Sequence, residues 1–183
     1  MPEIISEKII LDGRMTVEKA VLREGTETFE RYRLLRQDAS AVLLYDPERR
    51  KVILTRQFRY AVAAAASEEI LEIVAGKVDP GELPSAAAIR EVEEETGYRI
   101  TDSQLTFHTS CFSSPGYSTE QFHLFSAIVS ESDKTAKGGG LEEEHEKIEL
   151  VELDFDVFQQ QIKDGTIRDG KTIIAGLLFG ADL

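Results

Sequence analysis

The 183-residue chain contains a single cysteine, Cys111, so no disulfide can form within it. No apolar run approaches the roughly 18 residues that a membrane helix needs, and no basic-plus-apolar N-terminal signal is present. Positive charge is scarce too. The chain has 21 lysines and arginines against 34 aspartates and glutamates, which gives a net charge of -13. This excess argues against a nucleic-acid backbone or an anionic membrane as a partner. We therefore expect a protein of the reducing cytoplasm.

Internal repeats, low-complexity tracts and long linkers are also missing, and 42% of the residues are hydrophobic, enough for one good-sized core. Alternating stretches in residues 1–38 predict a small N-terminal antiparallel β-sheet subdomain. Residues 39–183 mix strand and helix patterns, which predicts an α/β fold of the α+β type, with a mixed sheet between helices. The predicted strands lie near 41–45, 51–55, 69–74, 105–112, 121–130 and 148–153, and the predicted helices near 84–95, 154–163 and 171–179.

The segment from Gly76 to Tyr98 follows the pattern G-x5-E-x7-R-E-U-x-E-E-x-G-U, where U is a bulky apolar residue. Good helix formers follow Pro84, and Gly97 supplies a helix stop. On this helix three carboxylates, spaced i, i+3 and i+4, share one face: Glu91, Glu94 and Glu95. Like charges this close are unfavourable unless a cation lies among them. Oxygen ligands without nearby Cys or His favour Mg²⁺, with Mn²⁺ as a substitute, over zinc.

A solvated acidic helix face is the alternative interpretation, and it suits most glutamate-rich helices taken alone. The fixed spacing of Gly76, Glu82 and Arg90 favours the metal site instead. The strand pattern at 69–74, directly before Gly76, adds the strand, loop and helix context that such a site needs. Mg²⁺ commonly bridges substrate phosphates, so the segment indicates a pyrophosphate substrate.

This pattern resembles the signature of the Nudix hydrolases, which split nucleoside diphosphates linked to another moiety. From about Arg31 onward the chain is similar to their nucleoside diphosphate sugar branch, the ADP-ribose and GDP-mannose pyrophosphatases. Beyond the box the resemblance is carried by residues 56–59, 71–76, 114–120, 137–146 and 167–172. It implies Mg²⁺-dependent hydrolysis of a nucleotide sugar to a nucleoside monophosphate and a sugar phosphate. ADP-ribose is the first expected substrate and GDP-mannose a close second.

The resemblance also implies roles for particular residues. The metal ligands would be the Ala75 carbonyl oxygen and the carboxylates of Glu91, Glu94, Glu95 and Glu146. Glu144 would be the general base and, with Glu95, catalytic, although residue types alone do not separate it from Glu142, Glu143 and Glu146. The substrate-binding residues would be Arg33, Arg56, Arg59, Glu72, Gly116 and Glu120.

In this branch the N-terminal sheet is often exchanged in a homodimer, which implies that Arg31, Tyr32 or Arg33 reaches the partner's nucleotide. We interpret Lys137–Gly140 as a flexible hinge before the acidic segment 141–146. Tyr98 replaces the aliphatic residue at the last position of the pattern, where we expect it to pack.

Several alternative functions fit the sequence less well. A non-catalytic Nudix-fold sensor of nucleotide sugars would not need all three carboxylates. A pyrophosphatase that removes damaged nucleoside triphosphates, or an RNA decapping enzyme, would keep the box but not the segments outside it. Residues 165–172 formally match the P-loop G-x4-G-K-[ST], but the pattern before them predicts a helix where a P-loop requires a strand. His108, His123 and His145 show no metal-ligand spacing.

Overall fold

The computed structural model describes residues 1–65, 69–140 and 147–181. The chain forms two compact units. The first contains Met1–Asp38 together with Cys111–Phe122, and the second contains Ala39–Ser110 with His123–Leu183. Residues 1–38 therefore share their unit with a segment that the sequence patterns did not assign to them.

The first unit contains a three-stranded antiparallel meander of β1 (Glu3–Leu11), β2 (Thr16–Glu24) and β3 (Glu27–Leu35). Gly25 makes the turn between β2 and β3 with φ +61°, a left-handed conformation that glycine adopts without strain. The N-terminal antiparallel sheet predicted from alternation is thus confirmed. Strand β1 exposes large apolar side chains: Ile4, Ile5, Ile9, Ile10 and Leu11.

A seven-stranded mixed sheet forms the centre of the fold. Its path runs in the order β10 (Glu149–Asp154), β5 (Lys51–Gln57), β4 (Ala39–Asp46), β9 (Gln121–Ile128), β8 (Leu105–Phe112). Two short strands lie off this path, because β6 (Ile70–Glu72) pairs with β5 while β7 (Val74–Lys77) pairs with β4. All eight residues of β4 are buried, as expected of a central strand covered on both faces.

The single strand predicted at 69–74 is therefore divided in the structure. Ile73 separates β6 from β7, and the two strands pair with different neighbours. The N–H of Ile73 donates to Thr172 Oγ1 over 2.8 Å instead of to a neighbouring strand. Since Ile73 is buried, this N–H needs an acceptor inside the protein. A hydroxyl distant in sequence supplies it, so alternation alone could not predict the break.

In the described residues three α-helices accompany the sheet: α1 (Pro84–Thr96), α2 (Phe155–Lys163) and α3 (Gly170–Ala181). Helix α1 begins at its proline and ends at Gly97, whose φ of +74° is the left-handed C-cap predicted from sequence. It contacts β7 and β4. Its buried stripe of Ala88 and Val92 joins a core that includes Tyr98, which is fully buried and packs as expected.

Helices α2 and α3 pack on each other, and α3 also contacts β4. The rings of Tyr45, Phe155 and Phe179 meet edge to face, with centroids 5.3–6.1 Å apart. Because helix α2 precedes Gly165, the P-loop alternative is excluded. In the described part of the chain none of the helices has the length and apolar character needed to span a membrane.

Candidate active site

Arg90 binds two of the three carboxylates on the acidic face of α1. Arg90 Nη1 donates to Glu91 Oε1 over 2.6 Å and to Glu94 Oε2 over 3.3 Å. The same guanidinium binds both carboxylate oxygens of Glu82 over 3.1 Å and the Lys77 carbonyl over 3.0 Å. The hydrogen bonds that Glu82 accepts from Arg90 and from the Asp79 N–H hold the pKa of Glu82 below its usual value. The spacing of Glu82 and Arg90 in the pattern therefore connects the loop after β7 to the carboxylate helix.

Gly76 provides the space in which one of these carboxylates lies. A Cβ atom placed on Gly76 would be 1.8 Å from the Glu91 carboxylate carbon. Only glycine lets that carboxylate approach the β7 backbone so closely. Ala75, whose carbonyl oxygen is the predicted metal ligand, is the neighbouring residue in β7. The pattern therefore pairs a glycine at position 76 with Glu91 because a side chain at position 76 would collide with the Glu91 carboxylate.

The chemistry of this donor set fits a hard divalent cation. Glu91 and Glu94 are partly exposed, Glu95 is buried, and all three offer only oxygen ligands. Among the described residues, no three acidic, histidine or cysteine side chains are already gathered as a metal site. Arg90 instead binds two of the carboxylates. A cation bound here would take over part of the charge compensation that Arg90 provides.

We expect the substitution Gly76→Ala to weaken metal binding while the chain still folds. The added methyl group meets the far end of a flexible glutamate, so the Glu91 carboxylate moves rather than the backbone. The metal concentration for half-maximal activity should rise by about 10-fold or more, because losing a group that orients a metal ligand typically weakens metal binding by that factor. Gly13→Ala is the control, because its Cβ meets no atom within 4 Å. Equal metal dependence in the two variants would contradict the steric argument.

A second charge cluster surrounds Glu72, which is only 5% exposed. Arg59 binds both of its carboxylate oxygens, Nε to Oε1 over 2.6 Å and Nη2 to Oε2 over 3.2 Å. Lys171 Nζ also donates to Oε2. Burial acts to raise the pKa of Glu72, but the hydrogen bonds and charges of Arg59 and Lys171 outweigh it and lower the pKa. Glu72 is therefore held as an anion between two cations.

The first turn of α3 positions Lys171 in this cluster. Asp169 Oδ2 accepts hydrogen bonds from the N–H and the hydroxyl of Thr172, as an N-terminal cap does. Asp169 Oδ1 accepts from Lys171 Nζ over 3.0 Å. The sequence patterns place Lys171 at a helix start, within the segment 167–172 that carries part of the family resemblance. They do not predict its burial, because lysines are rarely buried.

The other predicted substrate residues are found in both units. Arg56, in the second unit, donates to Glu149 over 3.1 Å and lines a cleft of about 380 Å³ with Lys137 and Lys147. Three of the predicted residues belong to the first unit: Arg33, Gly116 and Glu120.

Within the first unit, Arg33 binds Glu7 and Glu18, and Glu120 accepts from Arg36 over 3.2 Å. Gly116 lies in a turn closed by the bond from the Tyr117 N–H to the Ser114 carbonyl. The roles assigned to these residues stay predictions. Glu144, Glu146 and His145, together with the rest of the acidic segment, lie outside the described residues.

Comparisons with known proteins identify the family. The NUDIX domain matches residues 35–173. The chain is 36% identical over 179 residues to the GDP-mannose pyrophosphatase of Klebsiella pneumoniae subsp. pneumoniae, covering 94% of this chain and 85% of that protein. It is 35% identical over 183 residues to the GDP-mannose pyrophosphatase of Escherichia coli, covering 93% and 91%. The chain therefore belongs to the Nudix family, as its sequence pattern predicted.

The fold also agrees with a solved structure. The crystal structure of an ADP compounds hydrolase superposes with a TM-score of 0.77 at 21% identity, covering 98% of this chain and 92% of that one. This likeness confirms the predicted Nudix fold. Nudix hydrolases generally use a divalent metal, which agrees with the carboxylate chemistry of α1.

Proposed function

We propose that the protein is a Mg²⁺-dependent pyrophosphohydrolase of nucleoside diphosphate sugars. The observation that carries the proposal is the Glu91 carboxylate lying in the space at Gly76, on the helix that also bears Glu94 and Glu95. A sensor that only binds nucleotide sugars has no need of this arrangement. The GDP-mannose pyrophosphatases among the relatives support testing GDP-mannose before ADP-ribose, the reverse of the order expected from sequence segments.

In this mechanism the Ala75 carbonyl and the carboxylates of Glu91, Glu94 and Glu95 would hold the metal, with Glu146 as a further ligand. When bound, the metal supplies charge neutralisation at the phosphates and lowers the pKa of a coordinated water. Mg²⁺ is proposed over softer cations because every donor is an oxygen, and Mn²⁺ would substitute.

The remaining chemistry falls to side chains of this chain. Arg56 and Arg59 would neutralise the diphosphate, where negative charge spreads during the displacement. Glu144 would accept the proton of the attacking water on a carboxylate oxygen. The water oxygen bonds to one phosphorus as the P–O–P bridge breaks, so a nucleoside monophosphate and a sugar phosphate leave. Glu120 and Gly116 would contact the sugar side of the substrate, and Glu72 would orient Arg59 beside it.

The experiment that tests this function is turnover of GDP-mannose, ADP-ribose, ADP-glucose and dGTP with Mg²⁺, with products identified by mass. We expect GMP and mannose 1-phosphate from GDP-mannose, or AMP and ribose 5-phosphate from ADP-ribose. Pyrophosphate release from dGTP alone would place the protein among the triphosphate-cleaning enzymes. Tight nucleotide-sugar binding without turnover would support the sensor alternative instead.

We also propose a homodimer formed through the N-terminal sheet, in which Arg33 reaches the partner's nucleotide. Strand β1 supports this assembly because it leaves Ile5 and Ile10 about half exposed. Light scattering should give about twice the 20.4 kDa chain mass, and the double substitution Ile5→Glu with Ile10→Glu should give monomers. Leu177→Glu, on exposed α3 surface, is the control. A monomeric wild-type protein would contradict the proposal.

The cytoplasmic location and the lack of nucleic-acid or membrane partners stay predictions.

A further inference from the structure

The last turn of α1 is bound by the backbone of residues 135–140, which we call the glycine clamp. The N–H groups of Thr135 and Ala136 donate to the Gly97 carbonyl over 2.9 and 3.1 Å. Farther along the clamp, Gly139 N–H donates to the Glu95 carbonyl over 2.8 Å, and Gly140 N–H to the Glu94 carbonyl over 3.3 Å. The clamp thus satisfies carbonyls that a helix C-terminus ordinarily leaves without intrahelical partners.

Close backbone packing requires glycine at position 138 of the clamp and at Gly97, just past the end of α1. A Cβ on Gly138 would be 2.4 Å from the Thr96 carbonyl carbon, and one on Gly97 would be 2.2 Å from the Ala136 oxygen. Both clashes are with main-chain atoms, which cannot rotate away as a side chain can. Gly138 also has a φ of +67°. The run interpreted from sequence as a hinge is therefore, in the structure, a contact surface between two backbones.

Two of the residues that accept these hydrogen bonds are Glu94 and Glu95, whose side chains belong to the candidate metal site. The carbonyl and the side chain of each share one Cα atom, so a shift of the carbonyl moves the carboxylate with it. Helix ends otherwise fray. The Gly139 carbonyl in turn accepts the Ile148 N–H over 3.3 Å, which connects the clamp to the residue before β10.

We propose that Gly138 is a positioning residue for metal binding: its lack of a side chain lets the clamp seat on α1 and fix the carboxylates of Glu94 and Glu95. This inference rests on the proposed function, because it takes these glutamates to be metal ligands. It assigns to residues outside the Nudix signature a part in setting the geometry of the signature helix.

The test compares Gly138→Ala with Gly165→Ala in the full chain. Gly165 has a similar φ of +79°, but its Cβ meets no atom within 4 Å, so it shares the left-handed strain without the clash. Mn²⁺ binding is measured without substrate by electron paramagnetic resonance or calorimetry, alongside thermal unfolding. We expect Gly138→Ala to bind Mn²⁺ about 10-fold or more weakly, and Gly165→Ala to bind it like wild type. Equal Mn²⁺ affinity in the two variants would overturn the proposal and leave the clamp a purely structural feature.

A second measurement needs no substitution and holds even if Gly138→Ala fails to fold. If the clamp and the carboxylates are coupled, metal binding must stabilise the clamp in return. Adding Mg²⁺ to the wild-type protein should slow amide hydrogen exchange at Gly139 and Gly140, whereas unchanged exchange would overturn the coupling. Wild-type protein that binds no Mn²⁺ at all would instead refute the proposed metal-dependent function, and the clamp's role with it.

Discussion

Glu95→Gln is expected to lower kcat by about 100-fold or more while leaving the fold intact. The change removes one negative charge from the carboxylate face of α1 and keeps the shape of the side chain. Loss of a single preorganised electrostatic group at a reacting centre costs about 10²–10³ in kcat. Stability should hold or rise slightly, because one of several neighbouring like charges is gone. The measurements are kcat with GDP-mannose or ADP-ribose, and Mn²⁺ affinity.

Glu93→Gln is the matched control for this experiment. Glu93 belongs to the same acidic run, but its carboxylate binds Arg99 over 2.6 Å and is 42% exposed. It lies outside the i, i+3, i+4 face, so its loss should leave kcat within about twofold of wild type. Equal losses in Glu93→Gln and Glu95→Gln would mean that helix charge in general, rather than the candidate site, supports turnover. Full activity in Glu95→Gln would remove Glu95 from the metal site.

Glu72→Gln should destabilise the protein by about 3–5 kcal/mol, the cost of removing one partner from a buried charge cluster. Without the carboxylate, Lys171, itself only 7% exposed, keeps Asp169 as its one acidic partner among the described residues. Urea unfolding of the full chain measures the difference. In a double-mutant cycle with Lys171→Met, the combined loss should be smaller than the sum of the single losses, because each change removes the same contact.

Glu149→Gln provides the comparison for the Glu72 experiment. Glu149 also pairs with an arginine, Arg56, but both side chains are substantially exposed. Such a pair contributes at most about 1 kcal/mol. A loss at Glu72 no larger than the loss at Glu149 would contradict the conclusion that burial makes the Glu72 cluster important.

The pH dependence of the Glu72 effect follows from the sign of its pKa shift. The folded protein lowers the pKa of this carboxyl, so its contribution to stability is present above the pKa of the unfolded chain. That contribution is lost as the pH falls through the folded pKa. The stability difference between wild type and Glu72→Gln should therefore shrink on acidification below the usual glutamate range.

Features that depend on neighbours in sequence could be predicted. The limits of α1 follow from Pro84 and Gly97, and the shared face of Glu91, Glu94 and Glu95 follows from helix periodicity. Alternation similarly indicated the three strands of the first unit. The sequence could also identify the family, because the spacing of Gly76, Glu82 and Arg90 is a local property that folding does not alter.

Features that depend on contacts between distant residues were decided by the tertiary structure. Lys171 meets Glu72 across 99 residues, and the Ile73 N–H finds its acceptor on Thr172 across the same separation. Neither contact leaves a periodic pattern in the sequence, and a lysine side chain is ordinarily expected to be exposed to solvent.

The three consecutive glycines at 138–140 show most clearly this difference between local sequence features and contacts between distant residues. From the sequence, consecutive glycines indicate only backbone freedom. In the folded chain, Gly138 lies where two main chains approach too closely for any side chain. Local patterns along the chain were therefore enough to predict helix α1, its carboxylate face and the hard cation that such a face favours. The distant backbone and side-chain groups that hold this face in place could not be predicted, because their contacts form only when the chain has folded.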